Sequence, residues 1–217
     1  LQREFDAMEQ AIADAEVERT TKTGKLVDVR WTTEDGETVI ISTTRPELIC
    51  ACGVVVVHPE DKRYQHLVGK RIELPLTTNN RETSVEIMTH SSVKSEFGSG
   101  VLMVCSFGDQ NDVAVFRDLG LKPFQAIDLD GCMTEIAGPL AGMKVYAARK
   151  EAIEQLEQAD LIEKIETREQ EVPISERGKN PVEIILLKEW YVRQTHMQDR
   201  MKELIEDIEF HPPRNRQ

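Results

Sequence analysis

The spacing of apolar positions changes several times along the chain. Phe5, Met8, Ile12 and Ala15 recur at steps of three and four, which predicts a short amphipathic helix over residues 4–19. Leu26, Val27, Val29 and Trp31 then lead into Glu34-Asp35-Gly36, and Val39, Ile40 and Ile41 return the chain, the pattern of a β-hairpin. Further strands are expected over 53–57, 71–76, 84–88, 101–105 and 124–129, each bounded by Gly, Pro, Asn or Asp, and such a series predicts a barrel or a folded sheet. Helical spacing enters at 109–119, with Asp109 as N-cap, Val113, Phe116 and Leu119 on one face and Gly120 as terminator. A second helix is expected over 145–159, followed by a polar stretch at 168–180 that reads as a loop or linker. Residues 182–187 and 190–192 read as strands. Met197, Met201, Leu204, Ile205 and Ile208 form a last helical stripe that Pro212-Pro213 ends.

Composition narrows the classes. A chain of 217 residues, 40% hydrophobic and 30% charged, can bury one sizeable core and gives no sign of disorder. The longest apolar runs, Val54-Val55-Val56-Val57 and Ile184-Ile185-Leu186-Leu187, are far shorter than the roughly 20 residues of a membrane span. No secretory segment opens the chain, so no membrane partner is expected. Cys50, Cys52, Cys105 and Cys132 form no CxxC pair and no zinc or disulfide spacing, which suits a reducing cytoplasm. The net charge of -12 argues against a surface that grips nucleic acid by itself. Beginning at Leu1 and stopping after a polar run, the sequence reads as a piece of a longer protein, with a monomer as the expected state.

Two segments could carry chemistry. Ser42-Thr43-Thr44-Arg45-Pro46-Glu47 sets hydroxyls and a guanidinium at a strand end, where Pro46 forces the chain out of regular structure. They either line a polar pocket or form a Thr-rich strand end with Arg45 paired to a surface carboxylate. The second segment runs from Phe97-Gly98-Ser99-Gly100 through the 101–105 strand into Ser106-Phe107-Gly108-Asp109-Gln110-Asn111-Asp112, a strand feeding a helix N-terminus. By pattern alone Asp109 and Asp112 suit capping better than ligand binding. His58, His66, His90, His196 and His211 show no metal spacing, and no glycine-rich loop has a nucleotide-binding form, so no metal and no cofactor are expected.

Taken together, ISTTRPELICACGVVVVHPEDKRYQHLVGK, EFGSGVLMVCSFGDQND and PVEIILLKEWYV resemble the editing insertion of class I valyl, isoleucyl and leucyl aminoacyl-tRNA synthetases, in order and spacing and over essentially the whole chain. The FGDQND and PELICAC segments look most like archaeal-type valyl enzymes. The resemblance implies an α+β fold with a β-barrel-like core and peripheral helices. It implies an editing core over 1–168, with 1–45 supplying a flanking strand and helix. A linker segment and helix over 169–217 would then return toward a catalytic domain outside this sequence. The family's two adenylation motifs are absent, so deacylation is the expected activity: hydrolysis of the ester of mischarged tRNA, foremost threonyl on valine tRNA. Isoleucyl-type removal of valine and a non-catalytic acceptor-end binding module are the alternatives.

The resemblance makes Asp112 the binder of the substrate α-amino group, acting in catalysis with Thr43 and Thr44, which together with Arg45 hold the terminal adenosine and ester. Asp109 would recognise the side chain of the misattached residue, and Met103 and Cys105 would line its pocket. Met103 stands where related sequences often have lysine, Cys105 where they have threonine, and Ser99 replaces the threonine of a Gly-Thr-Gly element. The stretch PISERGKNP lacks the paired cysteines of a zinc module found in some relatives. The implied partners are the tRNA acceptor end and the remainder of a synthetase.

Overall fold

In the computed structural model of the protein, residues 16–76, 83–186, 193–209 and 211 are described. The chain divides into two compact units, Leu1–Leu186 and Leu187–Gln217. The first is mixed α/β with two sheets, and its described strands form no closed barrel.

The hairpin read from the sequence is present. Val17–Thr32 (β1) pairs antiparallel with Thr38–Thr43 (β2), placing Val29 opposite Ile41 and Trp31 opposite Val39. Gly36 makes the turn at φ 86°, a conformation costly for residues with a Cβ. Thr33 fixes it by accepting the Glu37 amide at 2.9 Å on its hydroxyl. On the other side β1 pairs over thirteen positions with Ile162–Ser175 (β7), completing the order β2-β1-β7. The linker expected at 168–180 is therefore mostly strand. This part of the β1–β7 ribbon lies beyond β2, and its apolar alternation is confined to Val172 and Ile174, too short a run to mark a strand. The predicted helix over 4–19 lies almost wholly outside the described residues, and its last three positions, 17–19, are the start of β1.

The second sheet has the order β4-β5-β3-β6, from Cys52–Val57 (β3), Arg71–Glu73 (β4), Ser84–Thr89 (β5) and Val101–Cys105 (β6). β3 runs parallel to β5 and antiparallel to β6. A single bridge, Thr33 to Ile72, ties the end of β1 to β4.

Both faces of this sheet are covered, which explains why Val54 to Val57 are buried without alternation. Val55 and Val57 face the main core with Trp31, Ile41, Leu48 and Leu156. Val54 and Val56 face Val115 and Phe116 of the helix Gln110–Asp118 (α1). The helix Val145–Gln158 (α2) closes the main core with Val145, Ala148, Ala152 and Leu156. Both helices lie where their spacing predicted them.

Two expected strands are absent. Residues 124–129 make only the bridge Ile127 to Met133, because Asp128 accepts the amides of Asp130 and Cys132 and Gly131, at φ 70°, turns the chain back. Residues 182–186 follow the lone bridge of Ile174 to Pro181, whose missing N–H stops a ladder. The strand expected at 190–192 lies outside the described residues.

In the second unit a 3-10 turn, Thr195–Met197, leads into the helix Gln198–Glu206 (α3). Met201, Leu204 and Ile205 carry the predicted stripe on this helix, exposed, with Met197 in the turn before it and Ile208 after its end. Among the described residues no helix is long and apolar enough to cross a membrane.

α1 sits on β3 at Gly53, where an added Cβ would lie 2.4 Å from Cζ of Phe116, a buried ring packed edge-on against Phe124. Gly53→Ala is expected to destabilise the unit by about 1–3 kcal/mol through overpacking. A lower urea midpoint at unchanged slope is the measurement that checks it.

Candidate functional site

The site forms where β2 and β6 end. After β2 the chain turns at Thr43, whose buried hydroxyl accepts the Arg45 amide at 3.0 Å. Thr44 lies half-buried inside that turn. Pro46 then opens a buried 3-10 turn, Pro46–Ala51, with Glu47 in its first turn.

After β6 the segment 106–109 bends sharply, with Phe107 at φ 60°, and Asp109 caps α1 by accepting the Asp112 amide on Oδ1 at 2.8 Å. Asp112, one turn into the helix, points back so that its Oδ2 accepts the Cys105 amide at 3.1 Å. The carboxylate lies over Gly108, where a Cβ would come within 2.1 Å of that oxygen. Glycine at 108 is what lets Asp112 reach the end of β6.

Arg45 joins the two segments. Its Nη1 donates to the Gly108 carbonyl at 3.1 Å, its Nε to Glu47 at 3.1 Å and its Nη2 to Glu183 at 2.7 Å. Glu47 is fully buried and accepts two further bonds from Arg149 of α2, at 2.7 and 3.0 Å. Burial by itself would lower the Arg45 pKa, but the Glu183 and Glu47 carboxylates outweigh it and hold the guanidinium charged.

Asp112 carries the unusual electrostatics. Burial and the charge of Asp109 raise its pKa from the ordinary 3.8 to about 8, against the Cys105 amide and Arg45, which favour the charged form. The fold thus holds this proton more tightly than the unfolded chain does, and the contribution of Asp112 to stability is lost as pH rises from about 4 to about 8. Asp112→Asn is therefore expected to match the parent near pH 4 and to exceed it above pH 8. The gain is on the order of 1–3 kcal/mol, reduced from the full linkage value because the side chain is partly exposed. Denaturant titrations across that range measure it.

Of the residues singled out from the sequence, Thr43, Thr44, Arg45, Cys105, Asp109 and Asp112 meet here. Cys105 contributes its amide; its thiol, pushed well up by burial, donates to the Leu48 carbonyl at 3.3 Å. Met103, on the same face of β6, is buried in the main core, opposite Val55. Asp109 is the N-cap that its pattern predicted, and one capped oxygen leaves the other with lone pairs to offer.

Glu47, Gly108, Arg149 and Glu183 were not singled out. Arg149 was legible in principle, since it occupies a position four after Val145 within the buried stripe of α2, a cation where the pattern calls for an apolar residue. Among the described residues no cluster of His, Cys, Asp and Glu could hold a metal ion.

No family model matches the chain. Individual relatives do match along nearly its whole length. It is 42% identical over 207 residues to the valine–tRNA ligase of Nanoarchaeum equitans, which covers 95% of this chain and 27% of the relative. It is 39% identical over 206 residues to that of Aeropyrum pernix and 41% identical over 200 residues to that of Methanopyrus kandleri. These matches cover 94% and 90% of this chain, and 24% and 22% of the relatives. The chain belongs to the valine–tRNA ligase family. It spans about a quarter of the length of these curated relatives. The family placement agrees with the resemblance read from the TTRPE, HPEDKRY and FGDQND segments.

Proposed function

We propose that this part of a valine–tRNA ligase is the editing domain, which hydrolyses the ester of mischarged tRNA, foremost threonyl on valine tRNA. The reading rests on one observation, the Asp109–Asp112 pair held at the N-terminus of α1 beside the Thr43–Arg45 turn. A carboxylate kept partly desolvated favours a cationic partner, and an arriving α-ammonium supplies the opposite charge that lets Asp112 ionise.

Asp109 then accepts the threonine hydroxyl, which valine lacks, so valine leaves a polar group unpaired. A synthetic pocket cannot strongly reject such an isostere, which is the physical reason for a second sieve. Thr43, Thr44 and Arg45 position the terminal adenosine, and Cys105 backs the site through its amide at the end of β6, while Met103 supports it from the core side. Water attacks the ester carbonyl, assisted by the free ribose hydroxyl, with hydroxyls or amides stabilising the oxyanion; the acyl C–O bond then breaks, and the departing ribose oxygen takes up the proton that water gave up.

The two sheets, tied at the Thr33–Ile72 bridge, serve as the barrel-like core. The chain from residue 169 on leads back to the rest of a synthetase, which supplies most contacts to tRNA and so accommodates the charge of -12. A monomeric domain working with cytoplasmic translation fits this role.

The test is release of threonine from Thr-charged valine tRNA beside release of valine from Val-charged tRNA, at high protein concentration. Faster threonine release is expected. Equal rates, or no hydrolysis where the acceptor end binds, would overturn the reading.

A further inference from the structure

A buried carboxylate costs several kcal/mol to desolvate and persists only where its partners are well arranged. Glu47 is such a group, with no exposed side-chain surface and two arginines from different elements upon it. Arg149 grips it through two bonds and is itself fixed in the wall of the core between Ala148 and Ala152 of α2. What Glu47 leaves for Arg45 is a single direction. With Nε on Glu47 and Nη2 on Glu183, the planar guanidinium must aim Nη1 at the Gly108 carbonyl. Gly108 is the residue over which the Asp112 carboxylate passes to reach the Cys105 amide.

We infer that Glu47 is a positioning residue for the editing reaction: anchored by Arg149, it aims Arg45 at the Gly108 carbonyl and so seats the Asp112 carboxylate on the end of β6. This rests on the editing reading above. It assigns to the glutamate of the TTRPE segment, and to α2, a role that passes through two hydrogen bonds to Gly108 and from there, by close packing, to the carboxylate that meets substrate. Arg45 belongs to this relay as well, since each of its three nitrogens has a protein acceptor.

The experiment is a double-mutant cycle on threonine release with Glu47→Gln, Arg45→Lys and the pair, together with the amide NMR signal of Cys105. Glutamine keeps the shape and loses the charge that holds both arginines. Each single change is expected to lower kcat/KM about tenfold or more, and the pair to cost little beyond the larger single effect, because both break one relay. The Cys105 amide should move upfield in Glu47→Gln as its bond to Asp112 loosens.

Effects that multiply, or a Cys105 signal that stays in place, would overturn the inference. Should Glu47→Gln fail to fold, Arg149→Lys keeps a cation, loses the two-pronged grip, and must show the same Cys105 shift. If the unaltered protein releases no threonine, the editing reading fails on its own, and the Cys105 signal still decides whether Glu47 seats Asp112.

Discussion

Asp112→Ala is expected to reduce threonine release from mischarged tRNA by about 10²–10³-fold in kcat/KM, measured at equal domain concentration. The size follows from what the carboxylate does in the proposed complex. A hydrogen bond to a charged group contributes about 1.5–3 kcal/mol, and removing one partner of a desolvated pair adds the penalty of leaving the ammonium unpaired. Each 1.36 kcal/mol is a factor of ten.

Asp112→Asn separates charge from shape, because the amide oxygen can still accept the Cys105 N–H. Its activity is expected to fall nearly as far as that of the alanine variant while its stability at pH 8 rises. A change that stabilises the fold and abolishes the reaction marks a group whose charge serves the ligand. Full activity in Asp112→Asn would remove the ammonium role and with it the proposed chemistry.

The largest structural effect is expected at Glu47→Ala, a loss of about 3–5 kcal/mol. Its side chain is wholly buried, and its loss leaves Arg149 without its carboxylate and Arg45 with only Glu183 of its two. For a unit of this size the melting temperature should fall by roughly 10 °C or more. Replacing Arg149 by methionine in the same background should recover part of the loss, since the uncompensated cation then disappears. A melting temperature within about 2 °C of the parent would show that the triad does not stabilise the unit.

Much of the fold was legible because it is local. The strands β2, β3, β5 and β6 and the helices α1 and α2 each carry their own period, apolar run or turn residues, and each stands within a residue or two of its expected place, whereas β1 ends where the hairpin was read but begins at Val17, well before the apolar run at Leu26. β7 was hidden because its inward side chains, Ile162, Ile165 and Ile174, are widely spaced among charged residues and keep no period of two, and because its partner lies more than a hundred residues away in the chain. Residues 124–129 misled in the opposite sense, with apolar content like a strand but a turn at Asp128 and Gly131 that leaves room for one bridge.

For the site, the sequence alone determined which residue types stand at two chain breaks, the hydroxyl and guanidinium run ending β2 and the paired aspartates opening α1, because capping and strand ends are set by neighbours in the chain. Only the tertiary structure decided that these breaks face one another, that Gly108 gives Asp112 its path to Cys105, and that Glu47 and Arg149 fix Arg45 between them. The reason is physical. Desolvation and ion pairing depend on distances through space, and residues as far apart in sequence as Arg45, Gly108, Arg149 and Glu183 acquire them only when both sheets and α2 have packed.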